Sequence, residues 1–178
     1  YWLNRALGFD YNDPKDQTSC TAWNYYASAT SNVGAQAAVA MRNFGAAYES
    51  GYFPTIHCGT SYGHYKEVRE ELVAHAELRD EVRRICDKLG KPFVMPEEIV
   101  HYSEWVYAMR HEFAQRRVLD LSSIDVTVHP ACHYHKLVVE DAIYDPDVYG
   151  GQRTAVVSAV VTALGANVKD YSTWFDCC

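Results

Sequence analysis

The residues of this chain with the most chemistry to offer are its six cysteines, Cys20, Cys58, Cys86, Cys132, Cys177 and Cys178. Thiolates bind soft metals and exchange with disulfides, so their placement decides what they can do. A secreted disulfide scaffold would be shorter and denser in cysteine. Thiols scattered through an acidic chain fit a reducing, cytoplasmic compartment, where they serve metals or redox chemistry. Cys132 follows one expected strand, and the vicinal pair Cys177-Cys178 follows another. Two adjacent thiols cannot both point into one core, and a disulfide between them closes a strained ring. Two readings stand at this point. Either these thiolates converge on iron, as in iron–sulfur clusters, or Cys132 is a small buried hydrophobe and the pair has no joint role.

Other candidates surround them. Cys86 lies beside Val82 and Ile85 on an apolar stripe and reads as packing. His57, His133 and His135 flank cysteines, where they can tune a metal, relay a proton, or simply be surface or core histidines. Tyr25, Tyr26 and Tyr62 stand near Cys20 and Cys58, as pocket lining or as core.

The elements that must position these residues follow from periodicity and punctuation. Tyr1 to Phe9 closes a helix with Gly8 at its end. Asp10 to Thr21 is a polar loop that delivers Cys20. Thr30 or Ser31 can cap a helix to about Tyr48, ended by Gly51. Tyr52 to His57 reads as a strand with Cys58 at its carboxyl end. A helix from about Ser61 carries the stripe Tyr65, Val68, Leu72. After a break near His75 a second carries Leu78, Val82, Ile85 and Leu89. Pro96-Glu97-Glu98 opens a further helix with Ile99, Tyr102, Val106, Met109 and Phe113 on one face. Leu119 to Ser123 connects it to a strand, Asp125 to His129. Asp145 to Gly151 is a loop. Gln152 to Gly165 is a helix burying Val157, Val160, Val161 and Leu164, and Val168 to Phe175 is the last strand. Strands alternating with helices imply an α/β fold with mostly parallel sheet. Cys58, Cys132 and Cys177-Cys178 each follow a strand, and ligands of such sheets bind beyond the strand carboxyl ends.

Bulk composition narrows the classes. The chain has 178 residues, 48% hydrophobic and 22% charged, with a formal net charge of −7. That balance argues against nucleic acid, whose phosphates need clustered Lys and Arg. No run of about 18 apolar residues predicts a membrane span. No basic-then-apolar leader opens the sequence as given. No G-x-G-x-x-G nucleotide fingerprint occurs, so electrons are expected from a separate subunit. The start at Tyr1, mid-helix, and the end on Cys178 read as an incomplete piece of a longer protein.

Pro130-Ala-Cys132-His-Tyr134, followed after a long interval by Asp176-Cys177-Cys178, resembles the opening of a cysteine-rich "CCG" motif. That motif runs Cys, gap, Cys-Cys-Gly, gap, Cys-x-x-Cys, and occurs twice in the B subunit of heterodisulfide reductase and its relatives. Its closing Gly and Cys-x-x-Cys would lie beyond residue 178. The Asp145–Gly151 loop absorbs the length of the first gap. Ser19-Cys20-Thr21-Ala22 resembles the family's Ser-Cys-Cys-Gly. Ile56-His-Cys58-Gly-Thr-Ser61-Tyr-Gly63 resembles its Leu-Cys-x-x-Cys-Tyr-Gly, continued by Lys66-Glu67-Val68. Thr21 and Ser61 stand where that earlier copy has its second thiols.

The resemblance implies two related cysteine-rich βα units, 1–121 (degenerate) and 122–178. It implies a noncubane [4Fe–4S] cluster held by Cys132, Cys177 and Cys178, with Cys20 and Cys58 as a weaker ligand set, and no catalytic residue beyond these ligands. The implied activity is that of an oxidoreductase that makes or cleaves a sulfur–sulfur bond in sulfur metabolism, on a small disulfide or protein-bound sulfur. The pattern looks closer to the sulfur-oxidising, heterodisulfide reductase-like complexes than to the methanogen enzyme. Implied partners are the C-type iron–sulfur and A-type flavin subunits of such a complex. Two alternatives stay open: an iron–sulfur electron carrier like those of quinone-linked dehydrogenases, and a scaffold without a cluster.

Overall fold

The computed structural model describes residues 2–18, 32–129, 134 and 155–172. In chain order its elements are α1 (Trp2–Leu7), α2 (Val33–Glu49), β1 (Thr55–Ile56), α3 (Gly59–Ala74), α4 (Ala76–Lys88), β2 (Val100–His101), α5 (Tyr102–Ala108), α6 (Arg110–Arg116), β3 (Asp125–Val126), α7 (Ala155–Ala163) and β4 (Asn167–Val168). β1 pairs with β2 and β3 with β4, both in parallel. Parallel partners need a long crossover, and helices occupy the one between β1 and β2. The fold is α/β, as the alternation of patterns implies. The chain divides into two compact units, Tyr1–Pro54 with His64–Ile99, and Thr55–Gly63 with Val100–Cys178.

In the first unit the Ala-rich α2 buries Ala37, Ala40, Met41 and Phe44, because short side chains let a neighbouring helix approach closely. Asn32 caps this helix, its Oδ1 accepting from Ala35 N at 2.9 Å. The cap therefore sits just beyond the Thr30 or Ser31 expected from sequence. Tyr65, Val68 and Leu72 on α3 and Val82 on α4 are buried along the stripes their spacing predicts. Each such side chain removed from water contributes about 1.5–3 kcal/mol. Phe44 meets Tyr65 edge to face at 5.0 Å between ring centroids, and Asn43 Nδ2 donates to the Tyr65 hydroxyl at 2.6 Å. Leu89, expected at the end of the α4 stripe, is 59% exposed because the helix has stopped at Lys88.

In the second unit a core forms between α5 and α7 from Tyr107, Val156 and Ala159, with Val160 against it. This corrects the face expected for α7. Val156 is fully buried while Val157 is 36% exposed. The helix reads Ala-Val-Val-Ser-Ala-Val-Val-Thr-Ala, apolar on nearly every side, so periodicity could not choose its inner face and packing against Tyr107 did. A second correction concerns Pro96 to Phe113. No helix begins at Pro96. Val100–His101 instead lies opposite Thr55–Ile56 as β2, and the helical segment starts at Tyr102 and breaks at Met109. A two-residue strand has no periodicity of its own; only a partner more than forty positions away defines it.

Candidate functional site

Parallel pairing aligns the carboxyl ends of β1 and β2, and the site residues are those that leave these ends. Ile56 is opposite His101. His57 and Cys58 follow the first strand, and α3 begins at Gly59. Cys58 is the residue before that helix. Its carbonyl accepts the first helical bond, from Tyr62 N at 2.9 Å. Its sulfur, meanwhile, faces the N–H groups of the helix's first turn, where negative charge is favoured.

The electrostatics of this exposed thiol follow from that placement. Partial burial pushes its pKa up, but hydrogen bonds from the backbone N–H and hydroxyl of Ser61, then from those of Thr60, outweigh burial. The net result is a thiol below its ordinary range. Such a sulfur is inclined to be thiolate, the form that ligates metals and attacks disulfides. Ser61 is itself buried, and its hydroxyl is committed to the Cys58 sulfur. At the position where the resembled motif has a cysteine, it therefore supports the neighbouring thiolate.

The wall beside Cys58 is aromatic. Tyr62, one helical turn on, is fully buried. Its ring lies 5.5 Å from that of His101 and 5.5 Å from that of Tyr134. His101 and Tyr134 are 4.5 Å apart. Toward solvent, His57 stacks on Tyr102 at 4.5 Å, and Tyr102 stacks on Trp105 at 5.5 Å. His101 is also the N-cap of α5. Its Nδ1 accepts from Ser103 N at 3.3 Å and lies 2.7 Å from Ser103 Oγ, while Glu104 Oε2 accepts from His101 N at 3.1 Å. An Nδ1 that accepts from a backbone N–H carries a lone pair, so the neutral ring holds its proton on Nε2.

Among the expected ligands, Cys58 stands where strand order places it, at a carboxyl end. Cys20, Cys132, Cys177 and Cys178 lie outside the described residues, as do Thr21, Tyr25, Tyr26, His133 and His135. Cys86 is 1% exposed on α4, and burial raises its thiol, with Asp87 adding to the rise, as suits packing. His57 is exposed and ring-stacked; Tyr62 is core and site wall at once. Sequence reasoning missed His101, Glu104 and Tyr134. The one available signal was the spacing of His101 to Glu104, that of a capping box with histidine in the cap position. Among the described residues no group of three or more His, Cys, Asp or Glu side chains is arranged to hold a metal ion. The donor chemistry of Cys58 nonetheless fits iron, because its sulfur is accessible and hydrogen bonds hold its thiol below the ordinary range.

Comparisons with known proteins agree with the resemblance read from the motifs. No family model matches the chain. It is similar to the B subunit of ferredoxin:CoB-CoM heterodisulfide reductase from Methanosarcina acetivorans, with 27% identity over 171 residues. The alignment covers 90% of this chain and 52% of that protein, so the chain spans about half the length of the curated relative it matches. No helix among the described residues is long and apolar enough to cross a membrane.

Proposed function

We propose that the chain is part of an iron–sulfur redox subunit of a heterodisulfide reductase-like complex, making or cleaving a sulfur–sulfur bond. The observation that carries this reading is Cys58. Its thiol is held below its ordinary range at the carboxyl end of a parallel strand, in a chain similar to the B subunit of such a reductase along 90% of its length. On this reading the motif copies divide the chain at 121/122. Cys132, Cys177 and Cys178 hold a noncubane [4Fe–4S] cluster. Cys20 and Cys58 form a second, poorer ligand set, because Ser61 serves as hydrogen-bond donor and Thr21 is no thiol.

A disulfide takes up two electrons, which an iron–sulfur cluster held by these cysteines would supply one at a time. The protein's own part at Cys58 is to hold its sulfur at the carboxyl end of β1. Ser61 and Thr60 stabilise charge on Cys58, and the buried Tyr62 wall limits water behind it. The substrate is a small disulfide or protein-bound sulfur of sulfur metabolism, met in the cytoplasm. The partners are the C-type iron–sulfur and A-type flavin subunits, which deliver electrons.

The test is anaerobic iron and sulfide counting on the parent protein, Cys132→Ser and Cys20→Ser, with reduction of a small disulfide by reduced viologen. The expected result is that Cys132→Ser loses most iron and the activity, while Cys20→Ser loses little iron. Iron retained by Cys132→Ser and lost by Cys20→Ser would put the working cluster in the other half. An iron-free parent would leave only the scaffold reading.

A further inference from the structure

Three aromatic rings are stacked at the carboxyl edge of the β1–β2 pair. His57 follows β1, and its ring lies 4.5 Å from that of Tyr102 with 29° between the planes. Tyr102 follows β2 and stacks in turn on Trp105, at 5.5 Å and 25°. Trp105 then meets Phe113 at 6.4 Å and 73°. All four rings belong to the second compact unit.

Burial falls steadily along this column. Phe113 is 8% exposed, Trp105 and Tyr102 are partly buried, and His57 is exposed. The near-perpendicular contact with Phe113 ends the stack on its buried side, while the other end rises to solvent at His57. Core packing accounts for the inner rings. It does not account for an exposed ring laid nearly flat on its neighbour. The next residue is Cys58, whose thiol is also exposed. Consecutive Cα atoms are about 3.8 Å apart, so a short arm on that sulfur spans the distance to the neighbouring ring. Ligands of parallel sheets bind beyond strand carboxyl ends, and aromatic side chains are their usual lining.

We infer that the His57–Tyr102–Trp105 column seats one arm of the sulfur substrate and selects an arm that carries a flat aromatic or heteroaromatic ring. This deepens the proposed function, on which it rests for the sulfur chemistry. The planar arm extends the stack at His57 while its sulfur lies at Cys58. A column already formed costs little further ordering when the arm binds. A saturated arm of the same size gains contact area but lacks the ring face that stacking needs. Tyr102 is a positioning residue on this account, holding the His57 ring flat.

The experiment uses the full chain after chelation of iron and two methanethiosulfonates that differ only in their arms, phenethyl and cyclohexylethyl. In each, the Cys58 thiolate displaces methanesulfinate and takes the arm as a mixed disulfide. Peptide mapping reads the rate at Cys58. The ratio of the two rates is divided by that of free N-acetylcysteine, which removes intrinsic reactivity. The expected wild-type preference for the phenethyl arm is about 2- to 10-fold, the size of one ring pair. It should persist in Tyr102→Phe, which keeps the ring, and vanish in His57→Leu and Tyr102→Leu. Circular dichroism identifies any unfolded variant, and His57→Leu, a change at an exposed position, decides the matter if Tyr102→Leu unfolds. A wild type without the preference would overturn the inference. So would a preference undiminished in folded His57→Leu, or one lost in Tyr102→Phe. Iron counted before chelation separates this seat from the function proposed above: a preference in a chain that never held iron keeps the seat and sinks the cluster chemistry.

Discussion

Ser61 meets the Cys58 sulfur with both of its donors, the backbone N–H and the hydroxyl. A residue at this spacing that carried a thiol would be free to ligate; a hydroxyl is a poor ligand for soft iron but a good hydrogen-bond donor to sulfur. Ser61 therefore supports the Cys58 sulfur and adds no second thiol beside it.

Ser61→Ala keeps the backbone donor and removes the hydroxyl. The Cys58 thiol should then titrate at higher pH, and its alkylation rate near neutrality should drop, tenfold for each full unit of upward movement. The rate of iodoacetamide labelling of Cys58 against pH, in chelated protein, measures this directly. A midpoint that does not move would mean that the hydroxyl is not engaged with the sulfur.

His64 offers a pH dependence of stability. It is fully buried on α3, and burial lowers its pKa from 6.5 to about 4. Between these values the unfolded chain binds a proton that the folded chain excludes, so stability rises with pH. The folded state should be at full strength above about pH 6.5 and lose on the order of 1–3 kcal/mol as pH falls toward 4. Urea midpoints at pH 7.5 and 5, compared between wild type and His64→Gln, test the assignment. The part of the slope due to His64 must vanish in the variant.

Cys86 should behave as packing. Cys86→Ala is expected to cost at most about 1–2 kcal/mol by urea unfolding, because the core gives up one small sulfur atom. Iron content should not change. Iron loss in this variant would reveal a ligand mistaken for a core residue.

Two glycines at positive φ should respond differently to alanine. Gly8, at φ 76°, has nothing within 4 Å of a built Cβ, so Gly8→Ala carries backbone strain alone. Gly165, at φ 90°, has the Arg117 guanidinium in the place of its Cβ, and that group donates to Leu164 O at 2.8 Å. Gly165→Ala should therefore be the more destabilising, displacing an ordered guanidinium on top of about 1–2 kcal/mol of strain. Thermal melts of the two variants decide the order. A Gly8→Ala that melts lower would contradict it.

What the residues determined by themselves is considerable. The stripe Tyr65, Val68, Leu72 specified a helix and its buried face, because apolar side chains at that spacing can share one side only of a 3.6-residue turn. The apolar run before Cys58 and the helical pattern after it placed that thiol between strand and helix, and the cysteine spacing carried the family resemblance. Packing of Cys86 was legible from Val82 and Ile85 on the same stripe. Tertiary structure decided the rest. Val100 and His101 became a strand because Thr55 and Ile56 offered a parallel partner, a choice invisible within a window around Pro96. Val156 rather than Val157 turned inward because Tyr107 was there to receive it, whereas the local sequence is apolar on both sides. His101 and Tyr134 joined Tyr62 through ring packing between segments dozens of residues apart, and no local spacing encodes such a meeting. Cys58 was recognisable as a thiol at a strand end. Its inclination to be thiolate came from the orientation of Ser61 and Thr60 over its sulfur, which only the folded first turn of α3 supplies.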